Sequence, residues 1–155
     1  MITGAWICLL APLAAAALIT VAGTRISRRG AGYLATVACF VAFGGAVASF
    51  AGLLGRDPEE REVLSTAWTW LSGGSYRSGF EILVDPLSVM MMLIVSGVGG
   101  LIVAYSLGYM DRDDEERRYF AYMSLFVFSM LLLVQGGNLL LLLAGWAWSD
   151  CRHTC

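Results

Sequence analysis

The chain contains no lysine; all ten of its basic residues are arginine. It holds one histidine and three prolines in 155 residues, and 14% of its residues are charged. A soluble domain carries about 25% charged residues, so a water-facing globular surface is excluded. Net charge is −2, which excludes the basic footprint of a nucleic-acid binder. One histidine and four cysteines leave little for a metal centre. Cys8 and Cys39 lie inside apolar runs, where a free cysteine behaves as a small hydrophobe. Cys151 and Cys155 flank His153 at the end of the chain, but that spacing matches no usual zinc pattern and lacks a fourth ligand. The Met90–Met92 triplet reads as packing filler, since no soft ligands converge on it from elsewhere. No metal and no cofactor are expected.

What is present is apolar length. Hydrophobic residues make up 58% of the chain, and mean hydropathy is +0.71. Leu87 to Met110 carries no ionisable side chain apart from Tyr105 and Tyr109. At about 1.5 Å per residue that stretch makes about 36 Å of helix, enough to cross about 30 Å of hydrocarbon. Tyr119–Val134 follows after the charged run Asp111–Arg118. Two such runs joined by a short charged link form a membrane hairpin, because lipid leaves no partner for exposed peptide groups.

Five apolar segments are expected, at 2–23, 31–54, 86–110, 119–134 and 139–148. A signal peptide would place its positive charge ahead of the first run. Here Arg25, Arg28 and Arg29 come after it, so the first segment reads as a retained helix. In the second, Ala38, Ala42 and Ala46, near Gly44 and Gly45, form a small-residue face. Segment three opens on Asp85-Pro86, a helix cap followed by a proline at the first helical position. Asp85 is a helix-cap or coupling candidate. Ser96, Gly100, Ala104 and Gly108 recur every fourth residue and predict a packing stripe. The fifth segment is too short, at about 15 Å, to cross the bilayer.

Residues 55–84 form an extramembrane loop. Gly55 to Glu62 is turn-rich and charged. Trp68 and Trp70 then alternate on one face, and Phe80, Ile82 and Val84 on another, around a turn at 72–75. That pattern predicts a β-hairpin at the membrane surface, where indole rings prefer to sit. Arginine counting sets orientation. Arg25, Arg28, Arg29, Arg112, Arg117 and Arg118 lie on one side, against Arg56, Arg61 and Arg77 on the other. The N-terminus is then outside, with loops 24–30 and 111–118 cytoplasmic. The fold class expected is an all-α integral membrane protein. It has four full transmembrane helices, a truncated fifth, and a short hairpin in the 55–84 loop.

Three pieces occur together: the Asp85-Pro86-Leu87-Ser88 helix start, Arg118-Tyr119-Phe120-Ala121-Tyr122, and Asn138-Leu139-Leu140 leading to Gly145-Trp146. From Met1 to about Trp146 the chain resembles the N-terminal part of subunit L of bacterial NADH–quinone oxidoreductase, respiratory complex I. Mrp-type sodium/proton antiporters and membrane-bound hydrogenases share this module. The resemblance implies proton translocation in the plasma membrane beside other membrane subunits of complex I, with no redox centre in this chain. A small membrane scaffold or assembly protein is the alternative from another class.

The chain departs from the family after Gly145-Trp146. The family continues with a glutamate, and this chain has Ala147. Back-translated and read from the third base of each codon, the tail admits Gly-Leu-Val-Gly-Leu-Ser-Ser-Tyr-Leu, which is similar to the family's continuation. Residues 147–155 therefore read as a frameshifted tail. The interiors of the first four segments contain no Asp, Glu, Lys or His. Such residues relay protons inside membranes, so no transport by this chain alone is expected.

Overall fold

The computed structural model describes residues 2–23, 27–55, 63–73, 76–110 and 116–150; for 28, 63–73, 76–81, 140 and 148–150 it describes the backbone alone. Seven elements follow in order: α1 (Ile2–Ala22), α2 (Arg28–Leu54), β1 (Val63–Gly73), β2 (Tyr76–Val84), α3 (Pro86–Tyr109), α4 (Glu116–Gln135) and α5 (Leu139–Asp150). The first four helices are long and apolar enough to cross a membrane. At 12 residues, α5 reaches about 18 Å and falls short. The expected architecture of four spanning helices, a shorter fifth and a hairpin is the one observed.

Helix ends differ from the apolar boundaries by up to a turn, and caps explain where. Ser27 is extended, and its hydroxyl accepts from the Gly30 N–H at 3.1 Å. That satisfies an orphan donor, so α2 begins at Arg28 rather than at residue 31. At the other end of this connection α1 closes on Gly23, whose φ is +44°. A side chain there would be strained, and glycine ends helices for that reason. α4 begins at Glu116 rather than Tyr119, drawing three charged residues into its first turn.

The hairpin pairs antiparallel from Val63↔Val84 to Gly73↔Tyr76. Its strict alternation is broken. The register shifts between Thr66 and Trp68 and again between Thr69 and Leu71, leaving Ala67 and Trp70 as extra residues. A bulge interrupts the period of two: in the backbone register Trp68 pairs with Phe80 while Trp70 has no pairing partner, so the alternation expected over Trp68 and Trp70 does not run unbroken. Nearer the membrane the pattern holds: Ile82 and Val84 are both buried. Ile82 also bridges to Gly136, tying β2 to the α4–α5 turn. The expected turn at 55–62 and the tail at 151–155 lie outside the described residues, apart from Gly55, which is a turn.

The α2 side of the interior is built from small residues, while Leu9, Met92, Phe120 and Leu131 fill the core around it. Along α2 the buried positions other than glycine are Ala31, Ala35, Cys39, Ala42, Ala46, Ser49 and Leu53. The steps of four and three follow the 3.6-residue turn. Of the expected face, Ala42 and Ala46 are buried and Ala38 is half-buried. Large apolar side chains point outward instead: Ile7, Leu10, Val37, Phe40, Ile94 and Leu101 are exposed. Lipid is as apolar as leucine, so helices associate through close van der Waals approach rather than by escaping solvent. Backbone meets backbone closely at Gly4 and Gly45. A Cβ on Gly4 would lie 2.7 Å from the Gly45 carbonyl oxygen, and one on Gly45 would lie 2.7 Å from that of Gly4.

Candidate functional site

Polar groups inside an apolar bundle are costly and mark function or structural need. Hydroxyls come first. Thr20, Thr36, Ser49, Ser96, Ser106, Ser124 and Ser129 each donate to the carbonyl four residues earlier in their own helix. These bonds satisfy the hydroxyl locally and build no chain of donors across the bilayer. Between helices, Ser106 Oγ lies 3.1 Å from the Tyr119 hydroxyl, joining α3 to α4.

Asp85 sits at the rim, half-buried and extended, with its Oδ1 accepting from the Ser88 N–H at 2.7 Å. Pro86 needs no partner at the first helical position. Replacing Asp85 with alanine is expected to cost about 1 kcal/mol of stability, read as lower thermal resistance in detergent. Asparagine, which can still cap, should recover most of it.

The α3 stripe divides. Ser96 and Gly100 are buried, and a Cβ on Gly100 would lie 3.5 Å from Cys39 Cβ on α2. Ala104 is half-buried. Gly108 is exposed, with nothing within 4 Å of a Cβ placed on it. A four-residue repeat advances about 40° per step on a 3.6-residue helix, so Gly108 has rotated out of the contact. Val103 and Ser106 take its place. Gly100→Leu is therefore expected to abolish disulfide crosslinking between paired cysteines introduced on α2 and α3. Gly108→Leu should leave it unchanged.

Two buried polar groups were not anticipated from the sequence. Glu116, at the first position of α4, is buried, and its Oε1 has no hydrogen-bond partner. It shares a face with buried Phe120, four residues on. Next to it, Arg117 Nη1 donates to the Gly23 carbonyl at 3.2 Å, meeting the negative end of α1 with a cation. Gln135 closes α4, fully buried, with neither side-chain polar atom partnered. It directly precedes Gly136, which bridges to β2. The signal for it in the sequence is the Gln135-Gly136-Gly137-Asn138 run, a link short enough to turn the chain straight back.

Ala147 is exposed on α5. α5 packs chiefly on α4, with Gly145 set against Leu133 and the Ser129 carbonyl. Among the described residues no group of three His, Cys, Asp or Glu is placed to hold a metal. Among the described residues the geometry thus offers capped, closely packed helices, with no titratable path from one rim to the other.

A family described as NADH-Ubiquinone oxidoreductase (complex I), chain 5 N-terminus, matches residues 70–120. NADH-quinone oxidoreductase subunit L of Mycobacterium tuberculosis is 41% identical over 141 residues, covering 91% of this chain and 22% of that protein. Subunit L of Escherichia coli (strain K12) is 42% identical over 87 residues, covering 56% of this chain and 14% of that protein. The solved structure of the Mrp complex from Dietzia sp. DQ12-45-1b superposes with a TM-score of 0.69 at 24% identity, covering 93% of this chain and 14% of its own. At that identity the likeness is one of fold. The chain spans about a fifth of the length of the Mycobacterium tuberculosis relative. These matches carry the resemblance read from the sequence, to the N-terminal part of subunit L and, in fold, to an Mrp complex.

Proposed function

We propose that these residues form the N-terminal helices of a proton-translocating membrane subunit of a complex-I-type NADH–quinone oxidoreductase. The observation that carries this reading is the extent of likeness to subunit L, 41% identity across 91% of the chain, on four spanning helices. In this reading the chain lies in a bacterial plasma membrane beside other membrane subunits, N-terminus outside, with loops 24–30 and 111–118 cytoplasmic. The arginine excess supports that orientation. Its part is structural: it builds and seals one end of the subunit. Asp85 acts through the cap that its hydrogen bond supports, rather than as a coupling group. Protons cross elsewhere, because the interiors of these helices hold none of the carboxylates, lysines or histidines that relay them.

A chimera tests this. Residues 2–135 would replace the matching stretch of a subunit L in its host, and membranes would be assayed for NADH-driven acidification of vesicles. Assembly with pumping near the host level is expected. An assembled complex that oxidises NADH but moves no protons would overturn the reading. The fold-level likeness to an Mrp complex motivates the parallel exchange into an Mrp subunit. Function there alone would favour the antiporter.

A further inference from the structure

At the end of the bundle where α1 stops and α4 starts, a cleft of about 330 Å³ opens between the two helices. Ile19, Thr20 and Gly23 line it from α1, and Arg117, Arg118, Ala121 and Tyr122 from α4. We propose that this cleft binds the phosphate headgroup of an anionic phospholipid, with an acyl chain lying along Ile19 and Ala121.

Helix spacing produces this arrangement. Residues four apart share a face, so Arg117 stands above Ala121 and Arg118 above Tyr122. The cleft is cationic at its mouth and apolar one turn deeper, which is the profile of a lipid at the bilayer surface. Charge in the wider rim does not account for it. The connecting runs hold six arginines, at 25, 28, 29, 112, 117 and 118, against five carboxylates at 111 and 113–116. Such a rim attracts anions only weakly. Locally, among the described residues, both charged residues that line the cleft are arginines. Glu116 shares its face with buried Phe120 and is absent from the lining. The bond from Arg117 to the Gly23 carbonyl fixes the guanidinium at the mouth. A guanidinium has five N–H donors, so that bond leaves capacity for a phosphate. Basic pockets between membrane helices hold lipid headgroups on this principle.

The test uses the full chain in vesicles of phosphatidylcholine containing spin-labelled phosphatidylglycerol or spin-labelled phosphatidylcholine, reading the protein-bound fraction. Each arginine near the surface contributes roughly fivefold to anionic lipid association. The chain should therefore select phosphatidylglycerol by at least about fivefold. Arg118→Gln should lower that selectivity by about fivefold, while Arg118→Lys keeps most of it. Ala121→Trp fills the cleft without changing charge and should also displace the lipid, which keeps the test decisive if Arg118→Gln does not fold. Arg29→Gln, at the same end of the bundle but outside this cleft, should cost clearly less than Arg118→Gln. Equal losses from Arg29→Gln and Arg118→Gln would show general rim charge and overturn the site. So would intact selectivity in Ala121→Trp, or displacement of the labelled lipid by inorganic phosphate, which would mark a free-anion site.

Discussion

Gly45→Leu should separate α1 from α2, and Gly45→Ala should already weaken them. A single Cβ at position 45 would meet the Gly4 carbonyl oxygen at 2.7 Å and the Cys8 nitrogen at 3.1 Å. Both are backbone atoms, so no rotamer change relieves the contact and one helix must shift. Overpacking a well-filled contact costs about 1–3 kcal/mol, and a leucine adds bulk that the same gap cannot hold. The association forfeited is the van der Waals contact that holds membrane helices together. Adjacent Gly44 is the control, because a Cβ there has nothing within 4 Å. Gly44→Ala should be near neutral. Thermal unfolding in detergent micelles, with disulfide crosslinking between cysteines introduced on α1 and α2, reads both. If Gly45→Leu crosslinks and unfolds like the parent, the close approach at Gly4 and Gly45 is not what joins these helices.

The second expected result concerns transport. Reconstituted alone into vesicles, the 155-residue polypeptide should neither pump nor exchange protons. Crossing about 30 Å of hydrocarbon requires titratable or polar stepping stones. Here the Asp85 carboxylate is at one rim and that of Glu116 at the other. The hydroxyls between them donate to carbonyls of their own helices. Ala147→Glu should not rescue flux. It would add one carboxyl on an exposed face of a helix about 18 Å long, without a second group to pass the proton on. A pH-sensitive dye trapped in the vesicles measures this. Sodium- or potential-driven flux above that of empty vesicles would contradict it.

The segments were legible because lipid imposes a simple rule: apolar runs of spanning length must be helices. Asp85-Pro86 named the start of α3 to the residue, since capping chemistry is local. The hairpin was legible from alternation near Ile82 and Val84, but its bulges at Ala67 and Trp70 were not. A bulge depends on which residue the partner strand places opposite, and one strand's pattern does not contain that. The Ser96–Gly108 stripe failed at its far end for a related reason. Small residues every fourth position suggest a straight seam, yet a helix turns every 3.6 residues, so Gly108 leaves the seam that Ser96 and Gly100 occupy.

The candidate site was the least legible part. Glu116 stands in a run of acidic residues that reads as a solvated loop, and only its place in the first turn of α4, above Phe120, buries it. The cleft at Arg117 and Arg118 needs Gly23, 94 residues from Arg117 along the chain, brought in by α1 packing on α4.

The sequence by itself determined the number of spanning helices, their order, the cap of α3 and the lack of Asp, Glu, Lys and His in the spanning interiors, because hydropathy, capping and ionisation are properties of single residues and short runs. Only the tertiary structure decided that Gly4 meets Gly45, that Gly108 faces outward, that Gln135 is enclosed beside the β2 bridge and that two arginines flank one cleft. Each of these depends on which helix lies against which and at what rotation, and in a bundle whose outer and inner surfaces are both apolar, hydrophobicity carries no mark of either.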